Sequence, residues 1–114
     1  MHVRLDQIVI DARDAARLAR FWAALLGGDA VDRDHGWSEV RAPEMPRVSF
    51  QPVTDARHGK NRLHLDLEVD DISTAAAEAI RFGATRIGTI VSGPLGRCQV
   101  MNDPEGNEFC FVQE

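Results

Sequence analysis

No stretch of this chain approaches the roughly 20 apolar residues that a membrane-spanning helix needs. The opening Met1-His2-Val3-Arg4-Leu5-Asp6 is followed by no apolar segment of the kind that makes a secretory leader. The expected location is therefore the cytoplasm, with no membrane partner. Basic charge is also scarce. Lys and Arg number 13 against 18 Asp and Glu, for a net charge of -5 and a pI near 5.3. Nucleic-acid binding rests on basic stripes facing phosphates, so nucleic acid is not an expected partner either.

Cysteine is reduced to Cys98 and Cys110, and no CxxC pair announces a structural zinc site. Both fall near the last two predicted strands, around the turn Asp103-Pro104-Glu105-Gly106. With a four-residue loop there, Cys98 faces Phe111 and Cys110 faces Gln99. The thiols then point to opposite sides of the sheet and no disulfide forms. A loop one residue longer or shorter reverses that outcome. Free thiols accord with a reducing compartment.

What the chain does contain is an ordinary globular balance: 114 residues, 44% hydrophobic and 27% charged. That is one domain's worth of material, 1–114, of a size that often dimerises. Val3 to Ile10 reads as a strand, and Asp14 as the cap of a helix in which Leu18, Phe21, Trp22 and Leu25 recur at three- and four-residue steps. Gly27 and Gly28 stop that helix. Extended pieces follow near 30–33, 37–42 and 48–53, with Pro43 and Pro46 between the last two. The second half repeats the order. Leu63 to Val69 alternates as a half-buried strand. Asp71 caps a helix through Ile72, Ala76 and Ile80 that stops at Gly83, and strands follow near 85–90, 96–101 and 108–113.

Gln7 aligns with His64, and Asp14 with Asp71, at an offset of 57 residues, half of the 114 in the chain. The register slips by about two residues at the helix end. The pattern predicts an α+β fold of two tandem βαβββ modules: module one about 1–54, a linker about 55–61 and module two about 62–114. Two similar βα units in an unrelated α+β fold are the other reading of the pattern. The linker is polar and basic. Its charges read as a solvated turn, with Lys60 or Arg62 meeting an anionic ligand as the alternative.

These pieces resemble the vicinal oxygen chelate superfamily of glyoxalases, bleomycin-resistance proteins and extradiol dioxygenases, and above all the small bacterial glyoxalase-like domains. The resemblance is carried by Leu5-Asp6-Gln7-Ile8-Val9-Ile10, by Ala19-Arg20-Phe21-Trp22 through Leu26-Gly27, and by Lys60-Asn61-Arg62-Leu63-His64-Leu65-Asp66-Leu67. Val69-Asp70-Asp71, Phe82-Gly83-Ala84 and Met101-Asn102-Asp103-Pro104-Glu105-Gly106-Asn107-Glu108-Phe109-Cys110 complete it. It spans essentially the whole chain. It implies an eight-stranded, cup-like mixed sheet with a helix on each outer face, a small-molecule ligand in the cup, and a homodimer.

In metal-dependent members of that superfamily, ligands come from the opening and closing strands of each module. Carried over by motif, the opening positions are Gln7 and His64. The closing position of the second half falls on Cys110, where the family has glutamate, and that of the first half is expected at Gln51. A hard divalent cation wants carboxylates or several imidazoles. The preferred expectation is therefore no metal cofactor. If a divalent metal is bound, the expected ligands are Gln7, His64 and Glu108, the last sharing a strand face with Cys110.

His64, Asp66 and Glu68 share one face of their strand, and the leucines the other. A neutral imidazole beside a carboxylate suits a general base, so His64 and Glu108 are the catalytic candidates. A strand histidine bonded to its neighbours is the structural alternative. Cys110 has no activating base that the sequence names, and reads as an inert thiol. Gln7, Trp37, Phe50, His64, Asp66 and Cys110 are the ligand-binding candidates, with Trp37 and Phe50 as aromatic walls. Three functions follow. The first is a glyoxalase-like domain that binds a small organic molecule in the cup, its catalytic form being a lyase or isomerase acting beside a carbonyl. The second is a metal-independent protein that sequesters a drug or metabolite. The third, less well supplied with ligands, is an extradiol dioxygenase.

Overall fold

The computed structural model describes residues 1–2, 5–54, 63–93 and 96–113. The chain divides into two compact units, Met1–Ala56 and Arg57–Glu114. The expected linker, with Lys60 and Arg62, lies outside the described residues, as do Val3 and Arg4 of the expected first strand.

Module one runs β1 (Gln7–Ala12), α1 (Ala15–Leu26), β2 (Asp29–Asp32), a single 3-10 turn (Asp34–Gly36), β3 (Ser38–Arg41) and β4 (Arg47–Pro52). Its sheet order is β1-β4-β3-β2, with β1 parallel to β4 and the other pairs antiparallel. Asp14 begins α1 by accepting a hydrogen bond from the Arg17 backbone N–H at 3.2 Å. Gly27 ends it in the left-handed conformation, φ 71°. Leu18, Phe21 and Trp22 line the buried stripe of α1, and Val40, Val48 and Phe50 answer from the sheet. Gly28 has a steric reason to be glycine: a Cβ there would stand 2.4 Å from the Arg41 carbonyl oxygen.

Module two repeats the plan with β5 (Leu65–Glu68), α2 (Ile72–Phe82), β6 (Thr85–Gly93), β7 (Gly96–Asn102) and β8 (Glu108–Gln113). The sheet order is β5-β8-β7-β6, again with one parallel pair, β5 and β8. Asp71 caps α2 through the Thr74 backbone N–H as Asp14 caps α1. The C-caps Gly27 and Gly83 stand 56 residues apart, so the slip at the helix end is one residue. Ile72, Ala76 and Ala79 of α2 are buried, as are Met101, Phe109 and Phe111 of the sheet. The fold is α+β and made of two tandem βαβββ modules. The identical strand order decides between a duplication and two unrelated βα units.

The turn between β7 and β8 corrects the expected placement of the cysteines. Pairing begins at Asn102 and Glu108, so five residues, Asp103–Asn107, make the loop. The Asp103 carboxylate fixes that length. It accepts the backbone N–H groups of Glu105 and Asn107 and the Asn107 side-chain amide, each at 2.9 Å. Cys98 then faces Val112 and Cys110 faces Val100. Both thiols lie on one side of the sheet, not on opposite sides, and both are free.

Candidate functional site

In each module one sheet face packs on its helix and the other is polar. In module one the polar face carries Gln7, Val9 and Asp11 from β1, Glu39 and Arg41 from β3, and Arg47, Ser49 and Gln51 from β4. Ser49 donates a hydrogen bond to the Gln7 Oε1 at 2.6 Å. Glu39 is almost fully buried, and such a carboxylate needs compensation. It receives it from Arg41, whose Nε stands 2.7 Å from Oε2, and from Arg33, whose Nε is 3.7 Å from Oε1. Arg47 spans to Asp6 with its terminal nitrogen, while its buried Nε has no hydrogen-bond partner. Gln7, Arg33, Trp37, Glu39, Arg47 and Ser49 surround a hollow of about 270 Å³. That volume is at the small end for ligand pockets.

In module two the face away from the helix carries Asp66 and Glu68 beside Cys98, Val100, Cys110 and Val112, with His64 next to Asp66. His64 directly precedes β5, which starts at Leu65 and is shorter than expected. Its Nε2 stands 3.3 Å from the Asp66 Oδ1, and both side chains are about half exposed. Asp66 is the cross-strand partner of Cys110. One ligand atom from each of His64, Asp66 and Cys110 falls within 4.8 Å of the others. Burial, helped by Cys98, Asp66 and Glu108, pushes the Cys110 thiol up to about 11. It is therefore a neutral thiol near pH 7 and a poor nucleophile. Glu108, two residues before Cys110 in β8, faces Asn102 across the ladder.

A glyoxalase-like domain model matches residues 7–112, nearly the full chain. The chain belongs to the glyoxalase-like domain family. Solved structures agree at the level of the fold. A glyoxalase/bleomycin resistance protein/dioxygenase family enzyme from Burkholderia phytofirmans PsJN is similar at 19% identity and TM-score 0.78, over 95% of this chain and 96% of that one. The oxidase ChaP-H2 is similar at 22% identity and TM-score 0.75, over 100% and 95%. TnmS3, an antibiotic binding protein from Streptomyces sp. CB03234, is similar at 21% identity and TM-score 0.72, over 98% and 96%. No curated protein matches this chain significantly.

Members of the family often use a metal, so the donor set of this glyoxalase-like chain decides whether such an ion suits it. Asp66 pairs with Cys110, and its counterpart Val9 pairs with Ser49. The closing position of module one is therefore Ser49, two residues before the expected Gln51, which is exposed and pairs with Asp11. The opening and closing residues are then Gln7, Ser49, His64 and Cys110: an amide, a hydroxyl, an imidazole and a thiol, with no carboxylate. Hard cations such as magnesium or manganese do not fit that set. Among the described residues, the potential ligand group that forms is His64, Asp66 and Cys110, without Glu108.

One expected ligand wall is corrected. Phe50 is 0% exposed and lies on the helix-facing side, opposite Ile10 and Ser38. It belongs to the core and offers a ligand no surface. Trp37 is half-buried and lines the hollow. The sequence reading missed Glu39, Arg33, Arg47 and Ser49. The signal available for Glu39 was its place one residue from Val40 in β3, which sets it on the face away from the core.

Proposed function

We propose that this glyoxalase-like chain binds a small polar organic molecule on the helix-free faces of its sheets, without a hard catalytic cation. The observation that carries this is the pair of closing positions, Ser49 and Cys110, neither a carboxylate. The hollow beside Gln7 adds to it. Trp37 supplies an aromatic surface there. Arg33, the Arg47 Nε and the Gln7 amide supply hydrogen-bond donors, beside the carboxylates of the buried Glu39 and the exposed Asp34. Such a lining suits a flat molecule rich in acceptor oxygens. The likeness to an antibiotic binding protein agrees with sequestration, at the level of the fold.

A second reading, a lyase or isomerase, draws on one contact. Asp66 stands 3.3 Å from the His64 Nε2 and can orient that imidazole as a base for a proton beside a carbonyl. One experiment separates the two readings. The chain is incubated with aromatic antibiotics, 2-oxo compounds and thiol conjugates, and each mixture is assayed both for bound compound and for product by mass spectrometry. Binding with no product supports sequestration. Product that disappears in His64→Ala supports the lyase reading. We further propose a cytoplasmic homodimer, to be checked by fractionation and sedimentation. No helix among the described residues is long and apolar enough to cross a membrane.

A further inference from the structure

Resting on the binding function proposed above, we infer that the hollow of module one selects a one-ring organic acid, whose carboxylate takes Arg47 away from Asp6 beside Trp37. Asp6 is then an internal competitor that the acid displaces.

The β1–β4 ladder lays out the floor of the hollow. Gln7 and Arg47 are direct neighbours across it, and Ser49 follows on the same face of β4, opposite Glu39 of β3. Ser49 donates to the Gln7 Oε1 at 2.6 Å, which leaves the Gln7 amide N–H groups as what that side chain can offer. Glu39 is already matched, since the Arg41 Nε stands 2.7 Å from its Oε2. Arg33, 3.7 Å from the other Glu39 oxygen, is beyond hydrogen-bond length. Arg47 is the least settled of the group. One terminal nitrogen reaches both Asp6 oxygens at 3.3 Å, long for a charged pair, and the Asp6 side chain is 82% exposed. The buried Arg47 Nε has no acceptor among the described residues. A buried donor left unpaired costs more than such an exposed ion pair contributes.

A carboxylate entering the hollow answers both defects. When the guanidinium turns from Asp6, its Nε and one terminal nitrogen face the ligand as a fork, which fits two carboxylate oxygens. Asp6 is exposed enough to be left to water at little cost. The lining sets the rest of the ligand. Trp37 offers a face for a flat ring. A hollow of about 270 Å³ falls below the roughly 300 Å³ at which pockets begin to hold drug-sized molecules, so it encloses a single ring. Glu39 and Asp34 stand against a second negative charge, and the donors of Arg33 and Gln7 stand against a cation. Those same donors can receive one further acceptor oxygen on the ligand. The class is therefore a monoanionic aromatic acid, favoured over its neutral isostere.

The test uses the full chelator-treated chain and three probes of similar size: benzoate, benzamide and benzylammonium, titrated by calorimetry at neutral pH and low salt. Benzoate should bind about tenfold tighter than benzamide, the ratio that one charge-assisted contact supplies, and benzylammonium should bind weakest. Asp6→Asn changes an exposed residue outside the strands. It should tighten benzoate about threefold and leave benzamide within about twofold of the parent. Arg47→Gln should bring benzoate down to the level of benzamide, and circular dichroism checks that each variant is folded. Benzamide or benzylammonium bound as tightly as benzoate, or benzoate indifferent to Asp6→Asn, would overturn the selection while leaving the binding function in place. Silence from all three probes also overturns it. The binding function itself falls only if the wider panel of antibiotics, oxo compounds and thiol conjugates is silent too.

Discussion

Replacing Phe50 by Ala separates a core residue from a ligand wall. The ring is fully buried between the β1 and β3 neighbours Ile10 and Ser38, on the side of the sheet that faces Leu18, Phe21 and Trp22 of α1. Returning such a side chain to water costs about 1.5–3 kcal/mol. The cavity left under α1 adds to that loss, for a total near 3–5 kcal/mol. That is a large part of the 5–15 kcal/mol by which domains of this size are usually stable. Urea denaturation followed by Trp fluorescence gives the difference through the midpoint, provided the slope is unchanged. Phe50→Leu keeps most of the volume and should cost only about 1 kcal/mol. Trp37→Ala should cost a similar small amount and remove ligand binding instead. A Phe50→Ala variant within about 1 kcal/mol of the parent would refute the packing argument.

Three further outcomes are expected. The Cys110 thiol titrates near 11 in the folded chain against an ordinary 9.0, so the folded state holds its proton more tightly. Its stabilising contribution is whole below pH 9 and disappears as pH rises to 11. The shift corresponds to at most about 2.7 kcal/mol, reduced toward about 1 by solvent on the polar face. Cys110→Ser should flatten that part of a stability-against-pH curve. Asp103→Ala leaves buried turn donors unpaired and should cost about 2–3 kcal/mol, read by thermal unfolding. Gly28→Ala sets a methyl 2.4 Å from the Arg41 carbonyl, so the start of β2 must move. A loss of about 2 kcal/mol or more is expected in the same assay.

Much of the fold was legible because its signals are local. Asp14 and Asp71 each cap a helix through a side chain three residues from its partner, and Gly27 and Gly83 mark the ends by their positive φ. The 57-residue offset therefore survived into matching strand orders. The faces of β4 were also available in principle, since alternation joins Phe50 to the buried Val48 and not to Ser49. What the sequence left hidden is pairing across strands. The five-residue turn depends on how many donors one Asp103 carboxylate gathers. A one-residue difference there moved Cys98 onto the face of Cys110. Ser49 replaced Gln51 for the same kind of reason: the β1–β4 register is set by the parallel ladder, with no turn motif to count from. Glu39 is buried because Arg33 and Arg41 close around it from different segments, and no local spacing announces that.

Organic-ligand binding without a hard metal is read from the melting temperature. The chelator-treated chain is heated with each of a panel of aromatic antibiotics and oxo compounds, with and without added manganese or magnesium. At least one compound should stabilise the chain equally with and without the ion. Stabilisation that appears only when manganese or magnesium is present would contradict it.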